Sequence, residues 1–349
     1  MASVAGAKCQ LVQVGELHVS ITANRPLVTG QINGQSVRVL IDTGTSVSFV
    51  WESAARRLGL PLASVRSVKV FGVGGEATVL GTTVKELQVG SYSASNVSLA
   101  VLDRARELRP EDPAVVLGND FFSQVVSEFD LAQGAIRLLR PTGCQLDELA
   151  YWSRTYSMAE LARPQIDNPQ VRLTVSVNGK PVEAVLDTGT RTTVITTAAA
   201  QNAGVLAAAQ NTGIFAAAQN ATAPTAPTAP AASAASAASA ASAASAASAA
   251  SAESGKMSGV GPKAVSSRTG TLTTFAIGDE TVRSARVRVA DLFRSDTVAE
   301  TGSHISHPAE GLPGMLIGCD FFLSHRLMIL PEERKVVFTY NGGPVFQSP

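Results

Sequence analysis

The sequence predicts an all-β protein made of two copies of one lobe in a single chain, with only short helices. Three repeated segments carry that prediction. Residues 27–50, LVTGQINGQSVRVLIDTGTSVSFV, are echoed by residues 172–195, RLTVSVNGKPVEAVLDTGTRTTVI. Lys69-Val-Phe-Gly-Val-Gly74 returns as Lys256-Met-Ser-Gly-Val-Gly261, and Val115-Val-Leu-Gly-Asn-Asp-Phe-Phe122 as Met315-Leu-Ile-Gly-Cys-Asp-Phe-Phe322. Each lobe reads as many short strands, which points to a barrel or sandwich rather than to alternating helices and strands.

The first element of each lobe is a hairpin. Asn33-Gly34 and Asn178-Gly179 each sit between apolar alternating runs, the strongest short-range signal for a two-residue turn. A short helix is expected at Glu52–Leu58 and another at Asp120–Val125. The first lobe spans 10–142 and the second 168–345, with a bridge over 143–167 that carries a short helix near Leu146–Arg154. From Asp42 to Gly72 is 30 residues, but from Asp187 to Gly259 is 72. The excess lies in a low-complexity stretch at about 207–255, where Thr-Ala-Pro triplets lead into an unbroken Ala-Ala-Ser tract. That stretch has no apolar face to bury and is expected to be a disordered or weakly helical surface insertion without chemistry.

Composition excludes several classes. The 349 residues carry 28 basic and 28 acidic side chains, so no electrostatic grip on nucleic acid or anionic lipid is expected. No run approaches the roughly 18 apolar residues of a spanning helix. Ala5-Gly6-Ala7 has the form of a signal-peptidase site, so the sequence is expected to begin inside a leader; a short cytosolic start is the alternative. Cys9 and Cys144 bracket the first lobe. A bridge between them would tie its ends together and suit a periplasmic or secreted protein, whereas two unpaired thiols would suit the cytoplasm. Cys319 reads as a small buried apolar residue.

Three motifs in one order, Asp-Thr-Gly after an apolar strand, a Gly-Val-Gly hairpin, and two apolar residues with Gly before a short helix, resemble those of the retropepsin-like aspartic peptidases. The nearest likeness is to bacterial single-chain members with two lobes, and it covers most of the chain outside the bridge and the insertion. A lone Asp-Thr-Gly is weak evidence; two in matched contexts are not. The resemblance implies two closed-barrel lobes forming an intramolecular pseudo-dimer, a monomer in solution, and hydrolysis of peptide bonds without a cofactor or metal. It implies Asp42 and Asp187 as the catalytic carboxylates sharing one proton, since two charges so close cannot both persist. That shared proton is the standard example for this family's dyad.

Position by position, Thr43 and Thr188 match residues whose hydroxyls brace the two loops. Gly44 and Gly189 would let the loop turn tightly and a water approach. Thr45 and Thr190 would each hold a carboxylate oxygen by their hydroxyl. Phe71, Gly72, Val73, Gly74 and Gly75 match a flap over bound peptide, with Gly259, Val260 and Gly261 as its second-lobe counterpart, stiffened by Pro262. Gly118 and Gly318 match the strand that threads behind the catalytic loop. His304 and His307 lack ligand partners for a metal, Gly72-Val-Gly74 opens no helix for a nucleotide, and no Gly-x-Ser-x-Gly occurs. Arg104, Arg106 and Arg109 read as a solvated face. Trp51 and Trp152 read as packing residues. The competing function is a module that holds a peptide in the same cleft without cleaving it efficiently; a structural surface protein using the Ala/Ser tract as a spacer leaves the paired motifs unexplained.

Overall fold

Both Asn-Gly turns fold as their sequence demands. Asn33 and Gly34 take φ of 49° and 80°, and Asn178 and Gly179 take 50° and 77°, in the computed structural model. Two consecutive left-handed residues match the right-handed twist of the flanking strands. Each Asn also ties its hairpin to the far side of its own lobe. Asn33 donates its backbone N–H to the Glu86 carbonyl at 3.0 Å, and its Oδ1 accepts from the Glu86 N–H at 3.1 Å. Asn178 does the same with Thr274, at 2.9 and 3.1 Å. The described residues are 8–73, 75–103, 108–109, 111–164, 169–205, 255–257, 264–293 and 312–346; for 66–72 and 75–78 only the backbone is described.

Those ties close two barrels. In the first lobe the strands run Pro26–Ile32, Gln35–Ile41, Val115–Leu117, Phe49–Trp51, Tyr92–Leu102 and Gly75–Val89, and the last returns to the first through Gly30↔Val89 and Ile32↔Leu87. In the second they run Arg172–Val177, Lys180–Leu186, Met315–Ile317, Val194–Thr196, Glu280–Ala290 and Val265–Ile277, closed by Ser176↔Ala276 and Val177↔Phe275. Ile41, Val50 and Leu117 fill the first barrel, and Leu186, Ile195 and Phe275 the second. Ala63–Gly72 pairs with Gly75–Val89 as a long hairpin with Gly72 opposite Gly75 at its tip.

A third sheet joins the lobes. Its six strands, all antiparallel, run Gln10–His18, Ala135–Thr142, Val126–Asp130, His325–Leu330, Lys335–Tyr340 and Ser157–Glu160. The seam between lobes is Ser127↔Ile329, Glu128↔Met328 and Phe129↔Leu327. Phe129 lies between Phe122, at 5.8 Å, and Phe322 of the other lobe, at 5.4 Å. Ser157–Glu160 falls in the segment read as a bridge, so part of that segment is a strand of the shared sheet.

Local elements are shorter than the sequence suggests. The helices are Glu52–Arg57, Asn119–Phe122, Leu146–Leu149, Thr197–Asn202 and Cys319–Ser324 among the described residues. The bridge helix opens with a capping box between Gln145 and Glu148. It stops before Tyr151 and Trp152 because those residues turn onto the shared sheet, where the Trp152 indole donates to Thr339 Oγ1 at 2.9 Å. Trp51 is buried in the first lobe. Arg109 is exposed and pairs with Glu111; Arg104 and Arg106 lie outside the described residues. The insertion also lies outside them, except Gly255, which opens the strand Gly255–Met257. Cys9 and Cys144 form a disulfide beside the Gln10↔Thr142 pair, closing the first lobe at its base.

Candidate active site

The same crossing sets each Asp-Thr-Gly loop. Gln35–Ile41 runs parallel to Val115–Leu117, and the chain then passes through residues 42–48 to the other side of that short strand, where Phe49–Trp51 pairs antiparallel. Lys180–Leu186, Met315–Ile317 and Val194–Thr196 repeat the arrangement. The first loop residue is pinned to the threaded strand: the Asp42 N–H donates to Leu117 O at 3.0 Å and the Asp187 N–H to Ile317 O at 2.8 Å. At Gly118 and Gly318 a Cβ would come within 2.9 and 2.5 Å of the loops, so only glycine lets the threaded strand press this close.

Four hydrogen bonds lock the loops together across the lobes. Thr43 Oγ1 donates to Leu186 O at 2.7 Å and accepts from the Thr188 N–H at 3.2 Å. Thr188 Oγ1 donates to Ile41 O at 2.9 Å and accepts from the Thr43 N–H at 3.1 Å. Both threonines are fully buried. The result is that Asp42 and Asp187, 145 residues apart in sequence, are brought together at the lobe interface, each carboxyl lying against the loop of the opposite lobe.

Gly44 and Gly189 are glycines for a different reason from tight turning. Neither takes a left-handed φ. Instead a Cβ on Gly44 would sit 2.2 Å from the Asp187 carboxyl carbon, and one on Gly189 would sit 2.2 Å from that of Asp42. Each glycine makes room for the opposite lobe's carboxylate.

The two carboxyls differ in support. Asp187 Oδ2 accepts the Thr190 hydroxyl at 2.7 Å and Oδ1 accepts the Thr190 N–H at 3.0 Å. Asp42 Oδ1 accepts the N–H groups of Gly44 and Thr45, at 3.0 and 3.1 Å. The expected Thr45 hydroxyl bond to Asp42 is absent, because that hydroxyl turns to Val47 O at 3.5 Å. Burial, the Asp187 charge and the hydrogen bond to Asp187 hold the Asp42 carboxyl well above the usual carboxylate range. Burial also raises Asp187, but the Thr190 hydroxyl and N–H, with the bond from Asp42, favour its ionised form.

Asp120 and Asp320 were missed as site residues by sequence reasoning. Asp120 accepts the Ser48 N–H on both oxygens and the Ser48 hydroxyl at 2.6 Å, while Ser48 Oγ accepts the Gly118 N–H at 2.9 Å. Asp320 repeats this with Thr193 and Gly318, at 2.8 and 3.0 Å for the two hydroxyl bonds. They clamp the far end of each catalytic loop. The available signal was their identity in both copies of the third motif, beside a position that changes from Asn119 to Cys319.

Of the flap residues, Val73 is partly buried and packs against the second-lobe cluster that holds Val185, Val194, Ala290, Leu292 and Leu316. Gly72 and Gly75 pair at the hairpin tip, next to Phe71↔Glu76. Gly74, Gly259, Val260 and Gly261 lie outside the described residues. Among the described residues no helix is long and apolar enough to cross a membrane.

The aspartyl protease family model matches residues 28–121 and 173–233, one segment in each lobe. No match was found among curated proteins. The first match contains Asp42 and the threaded strand; the second contains Asp187. With one matched segment beginning in each of two closed six-stranded barrels, the chain has the build of a two-lobed retropepsin-like protein.

Proposed function

We propose that the protein is an endopeptidase in which Asp42 and Asp187 activate one water against a peptide bond. The observation that carries this reading is the placement of the two carboxyls across the lobe interface, each seated against the opposite lobe's loop where Gly44 and Gly189 make room for it. Asp187 accepts a proton from water as the water oxygen attacks the scissile carbonyl carbon. Asp42 gives its proton to the carbonyl oxygen. On collapse the Asp187 proton passes to the leaving nitrogen, the C–N bond breaks, and a hydroxyl proton returns to Asp42. Both carboxylates are general acid–base groups and no covalent intermediate forms.

One chain supplies both carboxylates, and the shared sheet runs through both lobes, so the proposed active unit is a monomer. The Cys9–Cys144 disulfide favours an oxidising compartment, periplasmic or extracellular. The test is cleavage of a diverse peptide library from pH 3 to 8 by wild type, Asp42→Asn and Asp187→Asn. Cleavage by wild type and silence from each single variant is expected; cleavage that survives either substitution refutes a shared dyad.

The unequal support of the two carboxyls has its own test. Thr190→Val removes a hydroxyl bond to the charged form of Asp187, so its pKa rises and the acidic limb of the pH–rate profile moves to higher pH. A bond to a charged group is worth about 1.5–3 kcal/mol, so the move is about one pH unit or more. Thr45→Val leaves the limb in place, since its hydroxyl does not reach Asp42. Equal movement in both variants would show that the asymmetry has no part in catalysis.

A further inference from the structure

The second lobe carries two arginines beside its catalytic loop that the first lobe lacks. Arg191 follows Asp187 by four residues and is exposed. Arg288 donates from Nε to Thr192 Oγ1 at 3.1 Å, binding the same loop, and from Nη1 to Ser267 Oγ at 2.9 Å. In the first lobe the repeat places Ser46 where Arg191 stands. Ala100, which pairs with Phe49, stands where Arg288 pairs with Val194.

Strand alternation fixes the direction in which Arg288 points. Val287 and Val289 fill the barrel core, so Arg288 lies on the outer face, as does Ala290. Its lateral neighbour on that face is Val194. Val194 belongs to the apolar cluster on which the first-lobe flap residue Val73 rests. Arg288 and the apolar cluster under Val73 therefore share one outer face of the second barrel. Neither arginine forms an ion pair among the described residues. Burial and the neighbouring Arg191 charge both lower the Arg288 pKa.

We propose that Arg191 and Arg288 form a cationic subsite that selects substrates with a carboxylate side chain away from the scissile bond, on the second-lobe side of the cleft. This inference rests on the peptidase reading for its substrate but not for its binding. An acidic side chain would supply the missing counter-charge, and guanidinium is suited to bidentate carboxylate contact.

The experiment is a scan of Glu against Gln at each position from four before to four after the bond in the best-cleaved library peptide. In wild type the Glu peptide is expected to exceed its Gln partner about tenfold in kcat/KM at one or two adjacent positions. Raising the salt shrinks that ratio. Arg191→Gln and Arg288→Gln each reduce it, and Arg191→Glu turns it toward Lys. The ratio is internal to each variant, so a general loss of activity leaves it readable. Cleavage with a ratio near one at every position overturns the subsite and leaves the peptidase reading intact. If wild type cleaves nothing, the same pairs are compared by fluorescence anisotropy. Tighter, arginine-dependent binding of a Glu peptide keeps the subsite while the peptidase reading falls; no discrimination overturns it.

Discussion

Gly44→Ala is expected to abolish peptide cleavage while leaving both barrels folded. Gly44 has an ordinary backbone conformation, so alanine causes no φ strain. Its methyl group, however, would stand 2.2 Å from the Asp187 carboxyl carbon. Van der Waals contact requires about 3.4 Å or more, so the carboxylate must retreat by roughly 1 Å. A displacement of that size in a reacting group costs about a hundredfold in rate. Gly189→Ala should act equally on Asp42. The measurement is kcat/KM beside a circular dichroism spectrum and thermal melt. Retained activity in Gly44→Ala would mean that the carboxyls are not held against the opposite loop.

Glu128→Ala is expected to produce the largest loss of stability. Glu128 is fully buried at the lobe seam and accepts Arg137 Nη1 at 2.6 Å, Arg326 Nη2 at 2.7 Å, and the Tyr151 hydroxyl at 2.5 Å. Arg137 comes from the first lobe and Arg326 from the second; Arg326 also stacks over Trp152 at 4.7 Å. Removing the carboxylate leaves the two guanidinium groups with longer contacts, to Asp130 at 3.8 and 3.6 Å and from Arg137 to Glu16 at 3.8 Å. Breaking a buried pair in this way costs about 3–5 kcal/mol. Urea unfolding at pH 7 measures it, and a loss below about 1 kcal/mol would show that the seam does not depend on this network. Glu128→Gln should fall between, because it keeps the shape and part of the hydrogen bonding.

Much of the site was legible because the chain states it twice. The Asn-Gly turns, Asp-Thr-Gly loops and threaded strands each recur, and the repeat fixes their context better than any single motif. The shared sheet was not legible. Its strands Gln10–His18 and Ser157–Glu160 carry little internal resemblance, and their pairing is set by tertiary contact rather than by local pattern. Thr45 and Thr190 illustrate the limit at residue level. Identical in sequence, their hydroxyls go to different partners, since a repeat specifies residue type but not rotamer. The role of Gly44 was also hidden, because the atom that excludes a side chain belongs to the other lobe.

The Cys9–Cys144 bond makes nearly the whole first lobe a closed covalent ring, with Asp42 inside it and Asp187 outside. A tensile force applied between the chain's ends therefore passes from Cys9 to Cys144 without loading the first barrel. The 135 residues of separation within the ring would add no extension until the bond is reduced. At about 3.3–3.6 Å per residue, reduction releases roughly 450–490 Å of additional contour length. Pulled in oxidising buffer, the molecule would part at the seam and give up its second lobe, while the first remained intact as a mechanical spectator.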